Sequence, residues 1–497
     1  MPTLHIAEYQ SFGLEDIQRT LESYGTKDSK DKAQKIFEEL QNFASYEKNH
    51  AFLAPHSPST LKAKNYVGTI QTKSGFCIEI LPKTFNGEKI QDSKKCECKI
   101  RFEKEKMKKA FAYFSKNIRE SSYTESNSKE NSNLCNVCEA KMILLNCLAT
   151  LKDTPFKHND FANLHTLKFP LLEIFVHMFL NECEKLIKAG LKSDYLCIAQ
   201  NRAFLKGKLE FKEHITQNLI HKERFFTSSD EYTQNIAPNR LIKSSLEILA
   251  CLNLSPSTQT KLDSMRFIFA DISQSDSIEY DFIQCNNMSR AKEYEMALLW
   301  CKIFLKNQAF SPYAGRDRAV AFLFPMEKLF ESFVSFWLKK CADGFSVTTQ
   351  ESRKYLLQNE KQENVFCLKP DIVMRGKGEI LIIDTKWKIP DSSIDEKKCG
   401  ISQSDLYQMW AYASKYRLES KKVSVVLIYP KCERTRDLAK LWQDKQWFFK
   451  ASVDSSDIES SNASSTKLDS SISISLAFAP LEPTLQPHFK AKLEFIL

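Results

Sequence analysis

Apolar and polar residues alternate at two periods along this chain, and the changes of period mark its organisation. Over 32–44 the apolar positions fall at helical spacing in an Ala-, Glu-, Leu- and Lys-rich stretch, which predicts a helix. The runs 66–72 and 76–81 read as strands joined by a short turn at Ser74 and Gly75. After Pro82 the pattern decays. Residues 86–138 hold an excess of Lys, Glu, Ser and Asn, culminating in ESSYTESNSKENSN, and read as an inserted polar loop with one short helix near 104–115. Helical periodicity returns over 139–190, notably in LLEIFVHMFLNECEKLIKAG, whose Gly190 falls at a C-cap position. Residues 203–211, containing FLKGKLEF, predict a strand or hairpin, and 239–252 and 289–306 predict two more helices.

From 311 onward helix and strand alternate. Pro325 opens the helix MEKLFESFVSFWLKKC, strands follow at 365–374 and 379–387, an amphipathic helix covers 405–418, and 423–429 is a short buried strand. A Ser-rich insertion over 452–473 precedes SISLAF, where strand-like alternation resumes. The expectation is a mixed α/β chain in three parts. These are an N-terminal β-containing domain over 1–155, a mainly helical middle over 156–310, and a compact α/β domain over 311–497.

Composition narrows the class. At 497 residues, with 42% hydrophobic and 27% charged, the chain suits two or three globular domains and excludes wholesale disorder. Lys and Arg number 71 against 62 Asp and Glu, and the excess of +9 is compatible with a polyanionic partner, although most such charges are solvated surface. The 15 cysteines are odd in number and mostly single within apolar stretches (Cys183, Cys251, Cys301, Cys341), as reduced core thiols would be. The start, MPTLHIAEYQ, carries a Glu and no long apolar run, and no apolar run approaches a membrane span. A cytoplasmic protein with no membrane partner is expected.

The chemistry concentrates in LKPDIVMRGKGEILIIDTKWK. Pro370-Asp371 is expected within one strand, and a Gly-containing turn at 376–378 leads into the next. Asp384 and Lys386 are two apart there and share a face. Leu381, Ile382 and Ile383 make that strand central, where a carboxylate and an ammonium must be paired or used. Two carboxylates and a lysine suit phosphodiester hydrolysis: hard oxygens hold Mg²⁺, and lysine orients a water or stabilises charge on the phosphorane. The plainer alternative is a surface hairpin with a routine Asp–Lys ion pair.

The order of helix, strand with Pro-Asp, strand with Asp-x-Lys, then helix resembles the PD-(D/E)xK nuclease superfamily. Glu327 and Glu331 lie one turn apart on the upstream helix, where such nucleases often place a metal-binding Glu. Gln408 and Tyr412, at i and i+4 in SDLYQMWAYASKY, resemble the Gln-x-x-x-Tyr element of its RecB-like branch. MEKLFESFV, LKPDIVM, IIDTKWK and DLYQMWAYASKY together resemble the McrC family, the nuclease subunit of McrBC-type, modification-dependent restriction systems. YVGTIQTKSGFCIEILPK, FLKGKLEF, DEYTQN and APNRLIKSSLEIL resemble that family's earlier regions, the first ending in Pro82-Lys83.

The resemblance implies a restriction-endonuclease-like domain over 311–497 and a Mg²⁺-dependent endonuclease, with Mn²⁺ able to substitute. It makes Asp371 and Asp384 metal ligands, Lys386 the catalytic lysine and Glu331 the preferred upstream acid. Gln408, Tyr412 and Glu327 would support the site or touch double-stranded DNA. It also implies a hexameric AAA+ GTPase partner that this subunit stimulates, with the middle region as the expected contact. No G-x-x-x-x-G-K-[ST] loop occurs, so this chain is expected to bind no nucleotide itself. The alternatives are a non-catalytic adaptor for the AAA+ partner, or a stand-alone DNA repair nuclease.

Two further sets carry weaker signals. Cys96, Cys98, Cys135 and Cys138 bracket the first insertion as C-x-C … C-x-x-C, which could hold a structural Zn²⁺, although C-x-C is tighter than usual zinc spacing. Arg202, Lys206, Lys208, Lys222 and Arg224, interleaved with Phe204, Phe211, Phe225 and Phe226, could meet DNA or an acidic partner, against the plainer reading of a solvated face. His158, His165 and His177 lack metal-like spacing.

Overall fold

The computed structural model describes residues 1–84, 135–151, 155–156, 170–287, 291–306, 320–342, 344–376, 378–390, 401–417, 419–420, 422–432, 435, 447–449, 472–479 and 481. The short helix expected near 104–115, Cys96, Cys98, His158, His165 and the Ser-rich residues 452–471 lie outside them. The chain begins with β1 (Thr3–Ala7), β2 (Ser11–Gly13), α1 (Leu14–Ser23), α2 (Ser29–Ser45), β3 (Leu53–Ser57), β4 (Thr60–Ala63), β5 (Tyr66–Gln71) and β6 (Cys77–Leu81). Next come α3 (Asn136–Leu148), α4 (Leu171–Ala189), β7 (Asp194–Arg202), β8 (Lys208–Leu209), α5 (Phe211–Gln217), β9 (Phe225–Thr233), α6 (Ala237–Ala250), α7 (Pro256–Ile268), α8 (Ile278–Asn287) and α9 (Glu295–Lys306). The last part holds β10 (Val320–Pro325), α10 (Met326–Cys341), β11 (Ser346–Thr349), β12 (Lys354–Gln358), β13 (Asn364–Leu368), β14 (Ile372–Gly376) and β15 (Glu379–Thr385). It closes with α11 (Gln403–Tyr416), β16 (Lys422–Pro430), β17 (Trp447–Phe449) and β18 (Ile472–Ala479).

The expected strand pair near the start forms as β5 and β6, antiparallel, and β1 joins β6 in parallel. The fourth strand of this sheet is β10, from the far end of the chain, paired antiparallel with β5. Because side chains alternate across a strand, β10 feeds two cores. Ala321 and Leu323 pack with α1 and α2 residues such as Ile17, Ile36 and Phe43, while Phe322 and Phe324 enter the main core. The N-terminal sheet is therefore completed by a strand from beyond residue 311.

Gly68 permits that pairing. Its φ is +137°, and a Cβ there would stand 1.9 Å from the carbonyl oxygen of Phe322. Gly68→Ala is accordingly expected to destabilise the protein by about 1–3 kcal/mol, from strain plus overpacking. A chemical-denaturation midpoint matching wild type would contradict this account.

In the middle, α4 is apolar around most of its circumference and buried in the main core. Its start is pinned by Glu79 of β6, a buried carboxylate that accepts the Leu171 N–H at 2.6 Å and pairs with Lys141 at 2.8 Å and His5 at 3.0 Å. The lysine charge, with His5 assisting, outweighs burial and holds the Glu79 carboxyl down near 2. The helical expectation for this region is incomplete, because β7, β9 and β8 form a three-stranded sheet. FLKGKLEF supplies only two strand residues, and Phe211 already opens α5.

The C-terminal sheet has the order β11-β14-β15-β16-β18-β17. β14 and β15 are the expected antiparallel pair, and β15, β16 and β18 run parallel. One expectation is corrected: 365–374 is not one strand. It breaks at 369–371, with β13 pairing with β12 in a separate hairpin and β14 in the main sheet. Pro370 has no N–H to give a ladder, so a break there is physically favoured.

Candidate active site

The break at Pro370 leaves Asp371 at the mouth of β14 instead of inside a strand. One carboxylate oxygen, Oδ2, accepts both the backbone N–H and the hydroxyl of Thr385, each at 2.7 Å. That double anchor fixes Asp371 against the end of β15, where Asp384 precedes Thr385. Lys386 lies one residue past β15, and its N–H continues the parallel ladder to the Ile428 carbonyl at 2.8 Å. Its ammonium turns back to Asp384 Oδ2 at 2.5 Å. The shared face expected for Asp384 and Lys386 is thus realised as an ion pair.

From Lys386 a chain of hydrogen bonds runs into α11. The ammonium donates to Gln408 Oε1 at 2.9 Å, and Gln408 Nε2 donates to the Tyr412 hydroxyl at 2.8 Å. Tyr412 in turn donates to the Lys369 carbonyl at 3.2 Å, just before Pro370-Asp371. The i, i+4 pair on α11 therefore ties the lysine back to the strand that carries the first aspartate.

The two acids of α10 part company. Glu331 accepts a hydrogen bond from Gln350 Nε2, which also reaches Asp371 Oδ1 at 3.4 Å. Burial raises the Glu331 pKa, and the charge of Asp371 adds to it. Glu327, one turn earlier, is exposed, and its charge acts on Glu8, Tyr9 and Lys83 instead.

Two site residues escaped the reading of the sequence. Gln350 follows the four-residue β11, in a left-handed conformation at φ +51°, and its N–H donates to the Asp371 carbonyl at 3.0 Å. Nothing in the local pattern marks it. Asp405 is buried and lies 3.7 Å from the Lys386 ammonium and 3.0 Å from that of Lys388. It had a signal: Ser402-x-x-Asp405 is a capping sequence, and the Ser402 hydroxyl accepts the Asp405 N–H at 3.2 Å.

The electrostatics are those of an acidic cluster. Burial, and then the charge of Asp371, push the Asp384 carboxyl up to about 6, with Lys386 offsetting only part of this. Burial alone would lower the Lys386 pKa, but Asp384, Asp405 and Asp371 around it raise it instead. Asp384 Oδ2 is buried without a hydrogen bond of good geometry, even with the ammonium beside it. Among the described residues no three His, Cys, Asp or Glu side chains form a ready-made metal cage. Mg²⁺ does not need one, since it takes one or two carboxylates and keeps its waters. An excess of carboxylate charge with an under-satisfied buried oxygen fits such an ion.

Elsewhere, Cys135 stands at the N-cap of α3 and Cys138 is buried within that helix. His177 Nε2 lies 3.0 Å from Thr258 Oγ1, in a network with Glu173 and Ser255. The basic stretch is largely offset by its own lobe: Arg202 and Lys206 pair with Glu231 at 2.6 and 2.9 Å, and Lys208 with Glu210 at 3.4 Å. Among the described residues no helix is long and apolar enough to cross a membrane.

The model of the McrBC family, described as the McrBC 5-methylcytosine restriction system component, matches residues 61–430. The chain belongs to that family. It is similar to the type IV methyl-directed restriction enzyme EcoKMcrBC of Escherichia coli (strain K12), at 22% identity over 273 residues, covering 52% of this chain and 77% of that relative. Its fold resembles a chain in the refined half-complex from the tetradecameric assembly of Thermococcus gammatolerans McrB AAA+ hexamers with bound McrC, with a TM-score of 0.56 and 15% identity. That likeness covers 99% of this chain and 97% of the other. The matched span 61–430 includes Glu331, Asp371, Asp384, Lys386, Gln408 and Tyr412.

Proposed function

We propose that this chain is the Mg²⁺-dependent endonuclease subunit of an McrBC-type restriction system, with a PD-(D/E)xK domain that cuts double-stranded DNA alongside an AAA+ GTPase hexamer. The observation that carries the reading is the convergence of Asp371, Asp384 and Lys386 at the ends of β14 and β15, in a cluster with excess negative charge. Asp371 and Asp384 would hold the ion, and Glu331, which shares the Gln350 amide with Asp371, would be the upstream acid. When bound, Mg²⁺ supplies charge neutralisation at the scissile phosphate and a more acidic water. Lys386, held by Gln408 and Asp384, is placed to orient the attacking water or to stabilise charge on the phosphorane.

The partner reading draws on the lobe built by β7, β8, α5 and β9. Beside its exposed charges the lobe presents large apolar side chains to solvent: Phe211, Leu219 and Ile220 are 70, 72 and 85% exposed. Such a surface suits a protein partner better than phosphates.

The test is cleavage of methylated plasmid by the assembled complex with GTP and Mg²⁺. Cutting should stop with EDTA and return with excess Mg²⁺ or Mn²⁺; EDTA-resistant cutting would rule out the metal-dependent reading. Stimulated GTP hydrolysis without cutting in any divalent cation would favour the adaptor. Degradation of DNA ends by the purified chain alone would favour the repair nuclease.

A further inference from the structure

Trp387 follows Lys386 directly, yet its side chain is held by the N-terminal sheet. Glu8, just past β1, is 4% exposed, and its Oε2 accepts both the Trp387 indole N–H at 2.8 Å and the Lys83 backbone N–H at 2.9 Å. Lys83, just past β6, sends its ammonium to the Trp387 carbonyl, over the rings of Tyr9 and Trp387. One residue is therefore gripped at its ring and at its peptide by two residues some three hundred positions away. The indole also packs on Phe330 at 5.2 Å between ring centres, one residue before Glu331 on α10.

We propose that Glu8 and Lys83 are positioning residues that clasp Trp387 and so set where the Lys386 ammonium stands against Asp384. This rests on the nuclease reading above. It also gives a role to Pro82-Lys83, which the catalytic set leaves unused. Lys386 lies beyond the end of β15, where its N–H bonds the Ile428 carbonyl while its own carbonyl is held only by the local Lys388 N–H, each at 2.8 Å. The clasp fixes the next residue. A misplacement of about 1 Å at a catalytic group can cost about 100-fold in rate.

Burial pushes the Glu8 carboxyl up to about 7, against the opposing charge of Lys83 and with Glu327 of α10 adding negative charge nearby. What the clasp uses is one acceptor oxygen on which two N–H bonds converge, a role that an amide oxygen can also fill.

The experiment uses the full chain assembled with its AAA+ partner, at a temperature where every variant is folded. Glu8→Ala, Lys83→Met and Trp387→Phe should each lower kcat for cleavage by about 10- to 100-fold, with KM for DNA changed by no more than about twofold. Glu8→Gln, which keeps an acceptor oxygen, should recover most of the Glu8→Ala loss. Glu8→Ala combined with Trp387→Phe should lose little more than either alone, because both break the same bond. Independently of activity, Trp387 emission, taken by subtracting the Trp387→Phe spectrum, should shift in Glu8→Ala with or without Mg²⁺. If Glu8→Ala fails to fold, Lys83→Met and Trp387→Phe carry the same test.

Wild-type kcat in Lys83→Met and Trp387→Phe, fully additive losses, or a change confined to KM would overturn the clasp. Asp384→Ala serves as the control. If it cuts like wild type, the nuclease reading fails; if it is dead while the clasp variants cut normally, only the clasp fails.

Discussion

Replacing Asp384 by alanine should reduce DNA cleavage by the assembled complex about 1,000-fold or more, while stimulation of the AAA+ partner's GTP hydrolysis survives. The substitution removes a carboxylate that is paired with Lys386 and faces Asp371. Losing one ligand of a divalent ion forfeits several kcal/mol of transition-state stabilisation, and each 1.4 kcal/mol is about tenfold in rate. The fold should not suffer in proportion. Asp384 is a buried carboxyl pushed up to about 6, so the native state carries a cost there that alanine relieves. A thermal melt should place the variant within a few degrees of wild type or above it, the signature of a site that trades stability for activity. Cleavage within about tenfold of wild type would remove Asp384 from the reaction.

Lys386→Met should be costly in both respects. Its ammonium stands 2.5 Å from Asp384 and 3.7 Å from Asp405, and burying those acids without it leaves negative charge facing negative charge. Cleavage should fall about 100- to 1,000-fold, as when a charge-stabilising donor is lost. Without metal, stability should fall by about 3 kcal/mol, the scale of a broken buried ion pair.

The sign of the pH dependence follows from Asp384, whose folded pKa is raised. Below about 6 the folded carboxyl is neutral in wild type as in the variant, and the variant's deficit from this group is small. The deficit opens as the pH rises through about 6, where the wild-type carboxyl ionises, and is complete only above the variant's folded value, which loss of the lysine raises further. Denaturation of both proteins in EDTA from pH 4 to 8 would check this. A deficit that shrinks as pH rises would contradict the charge argument.

The parts of the fold legible from the sequence are those where one period dominates over enough residues. α10 shows Leu329, Phe333 and Trp337 on one buried stripe, and β15 is a central strand of unbroken apolar burial interrupted only by its chemistry. Asp384 and Lys386 were visible because charged side chains in a buried strand violate the apolar pattern, whereas Glu331, Gln408 and Tyr412 were singled out only by the resemblance to the nuclease family. Gln350 was not, because it approaches the site from a turn whose placement depends on β11 pairing with β14. β10 was missed for a different reason. VAFLFP is apolar on both sides because it lies between two cores, so no alternation separates it from the helix that follows. The grip on Trp387 joins residues 379 positions apart, and no window along the chain contains both.

The pairing of β10 with β5 also bears on how this protein could be taken apart or inherited. A fragment beginning at 311 would pull one strand from its sheet, leave the edge of β5 bare and take Trp387 away from Glu8 and Lys83. Recombination between relatives should therefore succeed where the first 84 residues travel with the last third and the helical middle is exchanged. A swap at the apparent C-terminal boundary would yield hybrids that aggregate through an open β-edge.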